Sequence, residues 1–307
     1  MKLTHIIEAQ QFSRPFLEKE FFPLVGEMEK IVKAGGSNIL AGKRGIVIFY
    51  EPSTRTRCSF QTAMDFLGIR VVFSTENAQN FSAAKGESME DTVRVIAGYH
   101  PDVIILRTNK TGMAKLASEY SSVPIINAGD GTGEHPTQAL LDIYTIQKEL
   151  GKIDGTSIAM CGDLNRGRTV RSLCYLLGKF SDIKIYFISP EALRMKNDVK
   201  KYLKKQNVSF IESHDLRKVA PSVNVIYQTR TQKERGDITL KHEKVKGFYL
   251  VNQEVLNAMK KDAIIMHPLP RVGEILSCVD NDPRAAYFRQ AENGLPVRMA
   301  ILKLVLT

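Results

Sequence analysis

The feature that most constrains this chain is a rhythm. Short apolar, β-rich runs alternate with amphipathic stretches over nearly its whole length. Candidate strands are 45–50, 69–74, 103–107 and 124–127 in the first half, then 157–161, 184–188, 224–227 and 263–266 in the second. Helical periodicity fills the gaps at 56–67, 88–99, 136–150, 169–177 and 192–204. Parallel strands need a crossover between them, and a helix of this length supplies one, so the alternation predicts parallel α/β units. With 307 residues there is room for two such units of about 150 each. The turn-rich seam at 151–155 (GKIDG) places the boundary, giving domains 1–150 and 151–292.

Composition narrows the class further. Hydrophobic residues make up 43% of the chain, enough for two cores. Apolar runs such as 46–50 and 103–106 fall far short of the ~20 residues that span a bilayer, and MKLTHIIEAQQF lacks a secretory apolar region. The expectation is a cytoplasmic protein with no membrane partner. Cys58, Cys161, Cys174 and Cys278 are scattered without a C-x-x-C pair and read as reduced, partly buried thiols rather than a disulfide or zinc framework. The net charge of +10 fits either a nucleic-acid surface or a site that draws in small anions. Without Trp or an arginine-rich run, the first reading is the weaker, and no nucleic-acid partner is expected.

The two halves share a motif. KRG-IVIFY-EPST-RTRCSF and DGT-SIAM-CGDLNRG-RTVRSL each read strand, polar loop, then a helix opening on Arg-Thr, at Arg55-Thr56 and at Arg168-Thr169. Unpaired N–H groups, the positive end of a helix dipole and a forked guanidinium make an anion site. Two such mouths suggest two anionic ligands. GDLNRGRT is also one residue from the P-loop pattern, with Arg168 where the nucleotide-binding lysine would stand, so a nucleotide hydrolase is a rival reading. No clear acidic strand end accompanies it.

Ser53-Thr54-Arg55-Thr56-Arg57 is the densest group, with hydroxyls, guanidiniums and helix-start N–H groups suited to a tetrahedral phosphate. In GDGTGEHPTQ, Pro136 fits a first helical turn, which sets His135 and Gln138 on one face at its mouth. There a neutral imidazole can donate to a carbonyl oxygen. His267-Pro268-Leu269-Pro270 makes a rigid loop whose carbonyls can accept from an amide or amine. Two long polar loops, 75–87 and 228–247, carry Lys85 and then Arg230, Lys233 and Arg235, and read as elements that close over negative charge.

Taken in order, FYEPSTRTRCSF, KGES, GEHPTQALLDIYTI, GDLNRGRTVRSL, TRTQKER, MHPLPRVGEI and DPRAAYFRQAENG resemble the catalytic chains of the aspartate carbamoyltransferases, within the aspartate/ornithine carbamoyltransferase family, over nearly the whole length. Ornithine-using relatives typically have H-C-L-P where this chain has His267-Pro268, and a different loop in place of TRTQKER. The resemblance implies two doubly wound parallel-sheet domains of similar size, an active site in the cleft between them, and a closing helix at about 293–307 packed back on the first domain. It implies transfer of a carbamoyl group from carbamoyl phosphate to L-aspartate, an early step of pyrimidine biosynthesis, with no cofactor and no metal.

Residue by residue, it implies that Ser53, Thr54, Arg55, Thr56 and Arg107 hold the phosphate. Arg55, Thr56 and His135 polarise the carbamoyl oxygen. Gln138 and the carbonyls of Pro268 and Leu269 hold the carbamoyl NH2. Arg168 takes the α-carboxylate of aspartate, Arg230 and Gln232 its side-chain carboxylate, and Lys85 and Leu269 also belong to the aspartate site. Lys85 matches a lysine that the family donates from a neighbouring subunit, which implies a homotrimer with shared sites and leaves room for regulatory chains. The serine common in that loop is replaced by Phe81, with Ser82 beside it. Carbamoyl transfer needs orientation and donors aimed at an oxyanion, worth ~10²- to 10³-fold each, rather than a covalent intermediate. The nearest alternative keeps this chemistry with ornithine as acceptor; Lys233 and Arg235 argue against a cationic substrate there.

Overall fold

The computed structural model describes residues 3–230 and 249–307. The chain enters through α1 (Arg14–Phe16), where Ser13 Oγ accepts from the Phe16 N–H at 3.3 Å, and continues through a π turn into α2 (Phe22–Lys33). The first sheet then forms: β1 (Arg44–Phe49), α3 (Thr54–Phe66), β2 (Arg70–Thr75), α4 (Met89–Ala97), β3 (Val103–Thr108), α5 (Met113–Tyr120) and β4 (Ile125–Asp130). After α6 (Pro136–Leu150) comes the second: β5 (Ser157–Cys161), α7 (Arg168–Leu177), β6 (Lys184–Ile188), α8 (Asn197–Lys205), β7 (Ser209–Ser213), α9 (Leu216–Val219), β8 (Val225–Gln228), α10 (Gln253–Ala258) and β9 (Ile264–Met266). The chain closes with α11 (Tyr287–Leu306).

Every strand pairing is parallel, in the orders β2-β1-β3-β4 and β7-β6-β5-β8-β9. β3 and β4 are buried at all positions and β1 at all but Arg44, as expected of strands covered on both faces. Ile46, Ile48, Ile104, Leu106 and Ile125 form one core with Val93 of α4 and Ala117 of α5. In the second sheet Ala159, Cys161, Ile226 and Ile265 pack with Leu216, Val255 and Tyr287.

Both orders reverse direction once, between β1 and β3 in the first sheet and between β5 and β8 in the second. In open α/β sheets ligands bind outside the carboxyl ends of the strands at such a switch point, because the crossovers leave on opposite faces and open a crevice. That rule places a site before any side chain is considered.

All the expected strands are present, β5 and β6 with the bounds read from the sequence. β7 was not expected. Its sequence, SFIES, lies at the sheet edge with mostly exposed or half-buried positions, so it lacks the continuous apolar run that marks its neighbours. α8 begins at Asn197 rather than 192, since Glu191–Leu193 form a separate 3-10 turn. The loop 75–87 contains two such turns, Ala78–Asn80 and Ser82–Lys85.

Two compact units divide the chain: Met1–Leu141 with Asn293–Thr307, and Asp142–Glu292. The division therefore falls inside α6, ahead of the seam at 151–155. Asp142 ties the helix to the second unit: its carboxylate accepts from Tyr227 Oη and Gln290 Nε2, both at 2.6 Å. Gly151, at φ +73°, merely ends the helix.

Candidate active site

In the first unit, the residues singled out from the sequence gather along the carboxyl edge of the sheet. Ser53, Thr54, Arg55 and Thr56 follow β1, Lys85 follows β2, Arg107 ends β3, and His135 and Gln138 follow β4. Phe49 and Arg107 are register partners across the switch point. Ser53 precedes the first turn of α3, yet its hydroxyl donates to Thr56 Oγ1 at 3.0 Å and makes no cap bond to the helix. The first-turn N–H groups are thus not capped by that side chain, which suits an anion at this mouth. Thr56 is buried, while Thr54 and Arg55 are exposed.

Arg107 is 7% exposed and its fork is fixed. Nε donates to the Glu51 carbonyl at 3.1 Å, Nη2 to Glu51 Oε1 at 2.9 Å and Nη1 to the Ala128 carbonyl at 3.2 Å. Glu51 escaped the sequence reading; its place directly after β1, at the switch point, was the available signal. His135 and Gln138 are both buried at the start of α6, and Thr137 Oγ1 lies 3.2 Å from His135 Nδ1. If that hydroxyl donates, Nε2 carries the ring proton and is a donor of the kind that polarises a carbonyl oxygen. Asp130 ties two loops of this edge together, its carboxylate accepting from Thr108 Oγ1 and from the Gly112 N–H, both at 2.7 Å. Lys85 is exposed on its 3-10 turn, which ends on Gly86 at φ +88°.

The second unit repeats the plan. Arg168 is the first residue of α7, behind Gly167, and is 5% exposed. Asp163 accepts from the Arg166 N–H at 3.0 Å and shapes the preceding loop. The loops after β5 and β8 touch: the Thr229 N–H and hydroxyl donate to the Cys161 carbonyl at 2.8 and 2.9 Å. A Cβ on Gly162, at φ +110°, would fall 2.2 Å from the Thr229 carbonyl oxygen, so only glycine fits. Arg230 follows Thr229, and Pro268 and Leu269 follow β9, all at the same carboxyl edge. Gln232, with Lys233 and Arg235, lies outside the described residues.

Of the cysteines, Cys161 and Cys174 are buried, and burial pushes both thiols up; Cys58 and Cys278 are exposed and all four are free. Among the described residues no group of three or more His, Cys, Asp or Glu is placed to hold a metal ion, and no helix is long and apolar enough to cross a membrane.

A pair of doubly wound parallel sheets, each with an arginine-bearing helix mouth at its switch point, defines a two-domain α/β protein with a candidate anion site in each domain. Comparison with known proteins identifies which. Residues 4–148 match "Aspartate/ornithine carbamoyltransferase, carbamoyl-P binding domain" and residues 154–305 match "Aspartate/ornithine carbamoyltransferase, Asp/Orn binding domain". The chain is 55% identical to the chloroplastic aspartate carbamoyltransferase of Arabidopsis thaliana, over 99% of this chain and 78% of that protein. It is 53% identical to the catalytic subunit from Methanocaldococcus jannaschii over 86% of this chain and 85% of that one. Among solved structures, the M. jannaschii catalytic subunit superposes with a TM-score of 0.91 at 47% identity, covering 99% of this chain and 98% of the other. The Trypanosoma cruzi enzyme in complex with N-(phosphonacetyl)-L-aspartic acid gives 0.93 at 40%, covering 99% and 96%. The chain belongs to the aspartate/ornithine carbamoyltransferase family.

These relatives correct one expectation. The cytoplasmic location read from the sequence is overturned by the Arabidopsis, pea and rice relatives, which are named chloroplastic. A modestly apolar chain without a membrane-length helix fits a plastid stroma as well as a cytosol, so those features never discriminated between them.

Proposed function

We propose that the first half-site binds carbamoyl phosphate and the second binds aspartate, and that both serve one transfer. The chain is a carbamoyltransferase with aspartate as acceptor: carbamoyl phosphate and L-aspartate give N-carbamoyl-L-aspartate and phosphate. The observation that carries the division of labour is the doubling of the switch-point mouth, STRTR with Arg107 in one unit and GRT with Arg230 in the other.

In this reading Ser53, Thr54, Arg55, Thr56 and Arg107 hold the phosphate and neutralise it as it leaves. Arg55, Thr56 and His135 polarise the carbamoyl oxygen and stabilise the tetrahedral oxyanion. Gln138 and the carbonyls of Pro268 and Leu269 hold the carbamoyl NH2 and the attacking amine. Arg168 and Arg230, with Gln232, grip the two carboxylates of aspartate; the planar fork of arginine matches a carboxylate better than an ammonium does. Holding both substrates side by side contributes on the order of 7 to 11 kcal/mol to the rate.

Lys85, exposed on its own chain, acts in a neighbour's site, which makes the working form a homotrimer. The M. jannaschii relative is named a catalytic subunit, and this supports a place for regulatory chains as well. A ureido assay with carbamoyl phosphate plus aspartate or ornithine tests the assignment, and turnover with ornithine alone would refute it. The bisubstrate compound N-(phosphonacetyl)-L-aspartic acid should raise the melting temperature strongly, since a ligand at ~100 times its Kd adds about 2.7 kcal/mol.

A further inference from the structure

His267 is 1% exposed, and both its ring nitrogens are engaged. Nε2 lies 2.7 Å from Glu274 Oε1, and Nδ1 accepts the backbone N–H of Leu269 at 2.8 Å. Glu274 also accepts from the Val272 N–H at 2.9 Å. Burial works to raise the Glu274 carboxyl, but the hydrogen bonds from His267 and the Val272 N–H outweigh it and its pKa is lowered. Glu274 is therefore a carboxylate at neutral pH and only accepts. A backbone N–H only donates. Together the two neighbours fix the ring's tautomer: Nε2 carries the proton and Nδ1 presents a lone pair.

That lone pair meets the backbone at a strained point. Leu269 sits at φ +47°, in the left-handed region, which a bulky side chain enters only at an energetic cost. Such a conformation persists only where the surroundings over-determine it. Here the ring supplies one restraint from inside the loop. The His267 backbone supplies another, its N–H donating to Gln290 Oε1 at 2.8 Å, with Gln290 Nε2 anchored on Asp142 and Asp142 on the Tyr227 hydroxyl.

We propose that His267 is a positioning residue for carbamoyl transfer: its Nδ1 lone pair holds the Leu269 N–H, and so aims the Pro268 and Leu269 carbonyls at the NH2 and amine of the substrates. The inference rests on the reading that those carbonyls touch the substrates. The imidazole exchanges no proton in the reaction. Its Nε2 proton is engaged in the hydrogen bond to Glu274.

Two substitutions separate this role from simple packing. H267N keeps an acceptor at the position of Nδ1, whereas H267Q keeps a group that reaches toward Glu274 and loses the Leu269 bond. The proposal expects H267N to retain most of the turnover and H267Q to lose about 10- to 100-fold in kcat/KM, the scale of a misplaced reacting group. A second route leaves His267 in place. In E274Q the amide keeps its oxygen on the Val272 N–H and turns its NH2 to Nε2, which moves the ring proton to Nδ1 and breaks the Leu269 bond. E274Q should therefore fall with H267Q. Imidazole ¹⁵N shifts should show the Nε2–H tautomer in the unmodified enzyme and the Nδ1–H tautomer in E274Q.

Equal loss in H267N and H267Q, with both folded by circular dichroism, would overturn the lone-pair role, as would an Nδ1–H or doubly protonated ring in the unmodified enzyme. Folded H267Q and E274Q with unchanged kinetics but lowered melting temperatures would instead overturn the underlying reading, that the Pro268 and Leu269 carbonyls contact substrate. If H267N does not fold, E274Q and the ¹⁵N shifts decide the question without it.

Discussion

Arg107 Nη2 donates to Glu51 Oε1 at 2.9 Å, so the arginine proposed for phosphate is already held by a carboxylate of the adjoining loop. The same fork is tied to the Glu51 and Ala128 carbonyls. A guanidinium so braced loses little freedom when it meets an anion. Arg107→Ala removes the donor and leaves the Glu51 carboxylate without its guanidinium partner beside the proposed phosphate site. The Michaelis constant for carbamoyl phosphate should rise about 10- to 100-fold, the equivalent of a lost charge-assisted hydrogen bond. Saturation kinetics at fixed aspartate measure it; an unchanged constant would remove Arg107 from the phosphate site.

Gly162 answers a different requirement. At φ +110° and with Thr229 O 2.2 Å from any Cβ, it lets the loops after β5 and β8 close on each other. Gly162→Ala must either push the Thr229 carbonyl away or unwind the turn, and should cost more than about 1 kcal/mol. A lower melting temperature with weakened aspartate use is expected, since Arg230 adjoins Thr229. A variant as stable as the parent would show that the loops part freely.

How much of this was legible beforehand follows from where each signal lies in the chain. Strands buried on both faces, such as β3 (VIILRT), announce themselves as apolar runs, and STRTR and GRT announce helix mouths by residue type alone. The switch points were not legible, because strand order is a property of pairing between distant segments. β7 was missed since an edge strand needs no apolar run. The bonds from Glu51 to Arg107 and from His267 to Leu269 are tertiary or conformational: nothing in the letters HPLP gives Leu269 its positive φ or says which imidazole nitrogen faces it. Asp142, hidden in an ordinary helical stretch, gained its meaning only when Tyr227 and Gln290 were folded against it.

Acid should weaken the second unit through Asp280. The hydrogen bonds from Arg271 hold its carboxyl below the usual aspartate value, against a smaller opposing effect of burial, and the Tyr287 hydroxyl adds to the lowering. A carboxyl whose folded pKa is depressed contributes stability that is fully present above its unfolded value, ~3.9, and is lost as pH falls through the folded one. Asp280→Asn should therefore melt below the parent at pH 6, and the gap should narrow as the pH approaches 3. A gap independent of pH would mean that shape, not charge, matters at this position.

Subunit sharing gives the sharpest test of Lys85. On its own chain the side chain is exposed, on a 3-10 turn that ends on Gly86, whereas Arg55 stands at the mouth of α3. If Lys85 serves a neighbour's site, K85A and R55A each inactivate every site of a pure trimer. Mixed trimers differ, because some of their sites then pair an intact Arg55 with an intact lysine from the next chain. Pure R55A should lose at least about 10²-fold in turnover, the cost of one oxyanion donor, and pure K85A should be impaired as well. Subunit exchange between them should restore a fraction of parental activity. Lys85 acting within its own chain predicts no recovery at any mixing ratio, and that outcome would also remove the reason for expecting a trimer.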